Sequence, residues 1–156
     1  MAASYGLSLE DHVLLAYWAA DCAEHVLPYF EAAFPGDRRP REAIATCRAW
    51  GATRDFRMTA IRSSSLAAHA AARAAQPESA AHYAARAAGQ AAATPHVPAH
   101  ALGPAWYGAK LADVAHLEAE RTWQCERLPP RLRGFVLAVA EYKPALGKVL
   151  RYPGMV

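Results

Sequence analysis

The chain has 156 residues, 54% of them hydrophobic, and a formal net charge of +3. That length suits one domain with a proper core, and such mild basicity lacks the concentrated positive charge of a nucleic-acid binder. No run of about 18 apolar residues free of charge occurs, so nothing is expected to span a membrane. No basic stretch leads into an apolar run at the amino terminus, as a secretory signal requires. Cys22, Cys47 and Cys125 make no close pair, which points to free thiols in the cytoplasm.

Residues 1–7 read as a disordered lead, and residues 8–156 as a single helical domain. Ser8 caps a first helix, with Asp11 placed to favour its amino terminus, and Val13, Leu14, Tyr17 and Trp18 recur at amphipathic spacing. Pro28 should kink that helix and Phe34-Pro35-Gly36-Asp37 should end it. A second helix begins near Pro40, a residue suited to a first turn, and ends at Gly51. The third spans roughly Asp55 to Ala75 and the fourth, opened by Ser79, runs through Ala93.

The segment Thr94 to Pro104 carries Pro95, Pro98 and Pro104 and predicts a break or a strong kink. A fifth helix is expected from about Ala105 to Glu126, and a sixth from Arg131 to about Tyr142, with the tail from Lys143 wrapping the surface. The expected fold is therefore all-α, a compact single-domain bundle of five to six helices with no strand. Much of the apolar content is alanine, which packs closely but buries little area. The core then depends on Leu14, Leu15, Trp18, Val26, Leu27, Phe30, Ile44, Trp50, Ile61, Leu66, Trp106, Tyr107, Leu111, Leu117, Trp123, Phe135 and Leu137.

Polar residues recur on helical faces that alanine flanks. If the fourth helix continues through Pro95, then His82, Arg86, Gln90, His96 and His100 fall within one arc of roughly 120°. Asp21 and His25 stand four apart, as do His69 and Arg73, so each pair shares a face. Buried groups of this kind must satisfy one another, and the expectation is that Arg86, Gln90, His96 and His100 point inward to meet Asp21 and His25. Such a network either serves a ligand or fixes the packing. Arg86, Gln90, His69 and Arg73 are the candidate ligand-binding residues, and Asp21, His25, His96 and His100 the candidate acids and bases.

The pair His96 and His100 has the spacing of two metal ligands on one helix, but the glutamate of the metalloprotease motif is missing and no third ligand is selected. No metal or cofactor is expected. Cys22 and Cys47 read as small core residues rather than nucleophiles, and His12 and His116 as surface residues.

Trp18 to Glu31, Arg39 to Ile44, Ala67 to Arg73, Arg86 to His100, and Glu120 to Gln124 with Arg127 to Pro129 together resemble the bacterial "putative immunity protein" family of polymorphic-toxin systems, over roughly residues 8–130. The motif residues that this resemblance carries over are Asp21, His25, Arg39, Arg41, Glu42, His69, Arg73, Arg86, Gln90, His96 and His100. It implies a cytoplasmic binding protein that neutralises a toxin or sequesters a small molecule, alone or as a homodimer. The rival expectation is a small cofactor-independent enzyme, a cyclase or hydrolase. In that reading Asp21, His25, His96 and His100 supply acid and base while Arg86 and Gln90 orient an anionic or carbonyl group.

Overall fold

The first helix, α1 (Leu9–Ala33), starts where the Ser8 hydroxyl accepts the Asp11 amide at 3.0 Å, and it continues unbroken through Pro28. A computed structural model of the chain describes residues 6–113, 115–142 and 152. After α1 come α2 (Arg39–Thr53), α3 (Met58–Ala74), α4 (Ala80–Ala93), α5 (Leu102–Leu111), α6 (Leu117–Arg127) and α7 (Arg133–Tyr142). Short 3-10 turns at Pro98–Ala101 and Pro130–Leu132 lead into α5 and α7. The described residues contain seven helices and no strand. The all-α class holds, and the expected count of five to six is corrected.

The extra helix arises at one break. The stretch expected to be one helix from Ala105 to Glu126 is interrupted after Leu111, where Ala112 turns extended. Asp113 Oδ1 accepts the His116 amide at 3.0 Å, and the Asp113 carbonyl accepts the Leu117 amide at 2.9 Å. A side chain that satisfies the free amides of a first turn starts a new helix.

Pro40 stands in the first turn of α2, which runs two residues past Gly51 and ends on Arg54 in the left-handed region (φ 61°). The lead expected over residues 1–7 lies mostly outside the described residues, but Leu7 packs against the core. Of the tail, only Tyr152 is described, and it is buried.

At the centre lies α4, packed against α1, α2, α3 and α5. Ala84, Ala85, Ala87, Ala88, Gly89, Ala91 and Ala92 are all buried on it. Side chains this small let four helices approach one axis. The larger apolar volume is supplied around them by Leu15, Trp18, Phe30, Leu102, Leu128 and Leu132, each essentially inaccessible, and each contributing roughly 1.5–3 kcal/mol of burial. Most of the expected core is buried or packed against it. Leu66 and Leu137 are corrections, at 55% and 38% exposed. Leu66 lies on the solvent side of α3, where the spacing did not reveal which face meets α4.

Two glycines set the tightness. A Cβ on Gly89 would stand 2.6 Å from the His69 ring, and one on Gly103 would stand 2.6 Å from Gln90 Cβ and Cγ. The second clash is the harder to relieve, because Gln90 Cβ cannot swing away as a ring tip can. Gly103→Ala should therefore destabilise the protein by about 1–3 kcal/mol, more than Gly89→Ala does. Urea denaturation of the two variants checks the order.

Candidate functional site

The structure divides the polar residues into two groups on different sides of the bundle. Helix α4 stops at Ala93 and the chain turns at Thr94 and Pro95, so His96 does not continue the α4 face and is exposed. His100 returns through the 3-10 turn, where its Nδ1 donates to Gln90 Oε1 at 2.7 Å.

Asp21 and His25 lie elsewhere. His12 of α1 donates from Nε2 to the Thr94 carbonyl at 2.7 Å, and Asp21 and His25 stand nine and thirteen residues further along the helix. At the α-helical rise that is about 13 and 20 Å from the Thr94 end of α4. Among the described residues, no hydrogen bond or ion pair joins Asp21 or His25 to Arg86 or Gln90, whose partners are His69 and His100. Asp21 instead accepts from Arg48 Nη2 at 2.8 Å, which also binds Glu24 at 2.6 Å. His25 meets Glu120 at 3.2 Å and stacks on Trp123 with ring centroids 3.8 Å apart. Helical spacing reports which residues share a face, but not which helix that face meets.

The first group lies where α3, α4 and α5 meet. Arg86 Nη1 stands 3.2 Å from His69 Nδ1. Arginine can only donate, so His69 accepts through Nδ1, carries its proton on Nε2 and is neutral. Burial, then the charges of Arg86, Arg73 and His100, push the His69 pKa down to about 4. Gly89 creates the space into which the His69 ring fits, and Ser65 Oγ donates to the Gly89 carbonyl at 2.9 Å, tying α3 to α4. Arg73, one turn beyond His69, is exposed.

Arg86 has no carboxylate partner among the described residues. The segment from Phe56 to Ala112 contains one acid, Glu78, against Arg57, Arg62, Arg73, Arg86 and Lys110, and of these cations Arg57 pairs with Asp55 just outside it. Arg38, Arg39, Arg41, Arg48, Arg121 and Arg131, outside that segment, each meet a carboxylate. Aromatic rings adjoin the cations. Lys110 Nζ lies 4.6 Å from the Trp106 ring and 5.5 Å from that of Tyr83, and Tyr83 and Tyr107 stand 6.0 Å apart. The Arg86 charge in turn acts on the half-buried Tyr107. The result is a cationic and aromatic face with a half-buried guanidinium inside it that meets no carboxylate among the described residues.

The second group, on α1, α5 and α6, centres on residues that sequence reasoning did not single out as a site. Glu120, Trp123, Gln124 and Tyr152 are tied to one another and to α1, with Trp18 Nε1 donating to the Gln124 carbonyl at 2.9 Å. The only signal was the Glu120 to Gln124 segment in the family resemblance. His12 was also misplaced, being half-buried and packed on Trp50.

Burial raises the Cys22 thiol well above its usual range and Cys47 to about 12, so both stay protonated core side chains. Among the described residues no three His, Cys, Asp or Glu side chains gather in a way that would hold a metal ion, and no helix is long and apolar enough to cross a membrane.

Among the described residues, the polar groups of this helical domain thus gather into a cationic and aromatic face and a cluster around Glu120. The chain belongs to the family described as "Imm-5 like putative immunity protein", whose model matches residues 6–131. Neither the curated proteins nor the solved structures contain a match to it.

Two outcomes follow from the geometry. Because no carboxylate is stranded when the guanidinium is removed, Arg86→Ala should change stability by less than about 1 kcal/mol, against roughly 3–5 for breaking a buried ion pair. Thermal melts decide between them. His69 also implies a pH dependence. Its folded pKa lies below the ordinary 6.5, so the unfolded chain takes up the proton first. The stability due to neutral His69 is complete above pH 6.5 and is lost as the pH falls toward 4. His12 is shifted the same way, by burial that outweighs its bond to Thr94. Melting temperature should therefore fall between pH 6.5 and about 5, before most carboxylates titrate, and His69→Gln should flatten that decline.

Proposed function

We propose that this chain is a cytoplasmic immunity protein that neutralises a toxin by binding it, with the α3–α4–α5 face gripping an acidic element of that partner. The observation behind this reading is the half-buried Arg86, which meets no carboxylate among the described residues while seven other arginines do. A guanidinium held in a fixed position between helices is a ready donor pair for an incoming carboxylate. Arg73 and Lys110 would draw the same partner in, raising its encounter rate.

The composition of the face supports the same reading. Arg, Trp and Tyr are the side chains that carry most energy at protein interfaces, and Arg86, Trp106, Tyr83 and Tyr107 adjoin one another here. Trp106 Nε1 is buried without a hydrogen-bond partner among the described residues, and a slight shift of the indole on docking would give it an acceptor. A neutral His69 adds no like charge beside Arg86, so the anion is met by the guanidinium together with the Gln90–His100 pair.

Co-expression with the toxin gene of the same locus tests the proposal. The wild-type chain should restore growth. Arg86→Glu should abolish protection and weaken binding by at least about a hundredfold, as expected for reversing a buried interface charge, while its melting temperature stays near wild type. Full protection by a folded Arg86→Glu variant would sink the proposal.

A further inference from the structure

A cavity of about 560 Å3 opens between α1, α5 and α6, with Ala80 at the start of α4 also on its lining. Its volume lies in the range of about 300–1,000 Å3 typical of small-molecule sites. Val26, Leu111, Ala112 and Ala119 give it apolar walls, and its charged lining groups are the carboxylates of Glu120 and Asp113, with no lysine or arginine.

Glu120 is held from several directions. Its Oε1 accepts Gln124 Nε2–H at 2.8 Å, and its Oε2 lies 3.2 Å from His25 Nδ1. Gln124, fully buried, also donates to the Ala105 carbonyl at 2.9 Å and accepts from the Tyr152 hydroxyl at 2.8 Å. The His25 ring is in turn fixed by stacking on Trp123. A carboxylate locked by this second layer of bonds is oriented before any ligand arrives.

Gly108 keeps the approach open, since a Cβ there would press to 3.0 Å from Glu120 Oε1. The Glu120 side chain is only 10% exposed. Its Gln124 donor is uncharged, and no lysine or arginine is among the described residues that line the cavity. Leaving a charge so placed is costly, and a ligand cation offsets that cost.

We propose that this cavity binds a small organic cation, an ammonium or amidinium group on an apolar body, with Glu120 as its counter-charge and Val26 and Leu111 against the body. His25 and Gln124 are positioning residues that hold the carboxylate. None of the residues assigned to the toxin face lines this cavity, and the charged groups that do line it are of the opposite sign.

Titration calorimetry with phenethylamine, phenethyl alcohol and phenylacetate tests this, the three probes sharing a ring and differing in charge. The amine should bind with a dissociation constant below about 1 mM, and the alcohol and acid at least about tenfold more weakly. Glu120→Gln should remove the preference for the amine. Ala119→Trp, at an exposed position on the rim, should block the amine without lowering the melting temperature. Arg86→Glu should leave amine affinity unchanged, which separates this site from the toxin face. Equal binding of all three probes, no amine binding, or a preference that survives Glu120→Gln overturns the proposal. Should Glu120→Gln fail to fold, Ala119→Trp decides, and undiminished amine binding in that variant overturns it.

Discussion

Helix α4 is enclosed by α1, α2, α3 and α5, and it can be enclosed only because its inward residues are alanine and glycine. Larger side chains would hold those helices apart, since packed interiors have little room for added atoms. The close approach has a direct chemical consequence. The polar residues that α4 does carry, His82, Arg86 and Gln90, emerge at its seams with α3 and α5, where neighbouring backbone removes water from them. His82 Nδ1 donates to the Ala72 carbonyl at 2.9 Å, Gln90 is joined to His100, and His69 is pressed against Gly89. The desolvation that keeps His69 neutral thus follows from the small residues of α4. Arg86 stands out because the same packing gives it a neutral acceptor and no anion.

Helix α1 ties the two sides of the bundle together. Near its start, His12 holds the end of α4 through the Thr94 carbonyl, and further along Trp18 holds α6 through the Gln124 carbonyl. The buried hydrogen bonds of Gln124 then reach Glu120, and from there His25 on α1 itself. Charge is distributed unequally over this frame. The surface built from α3, α4 and α5 is cationic, whereas the cavity between α1, α5 and α6 presents carboxylates. One small domain therefore presents two polar surfaces of opposite sign.

Local signals in the sequence were reliable. Ser8 and Ser79 mark the starts of α1 and α4 through hydroxyl caps, and Pro40 marks the start of α2. The break between α5 and α6 was equally local, since Asp113 caps the turn that His116 begins, but an uninterrupted helical pattern masked it. The face shared by Arg86 and Gln90 was legible from spacing. Its extension to His96 failed because the helix ends before Pro95, and His100 reaches Gln90 through a turn instead. What the sequence could not convey was pairing across the fold. Asp21 joins Arg48 and His25 joins Glu120, partners 27 and 95 residues away, and no periodicity on α1 identifies either one.

A double-mutant cycle between Arg86 and each surface carboxylate of the bound toxin measures the central claim most directly. The account predicts that one carboxylate couples to Arg86 by more than about 1.5 kcal/mol, as close charge pairs do across interfaces. It further predicts that exchanging the two charges recovers binding lost in either single variant. Coupling near zero for every carboxylate of the toxin would contradict it.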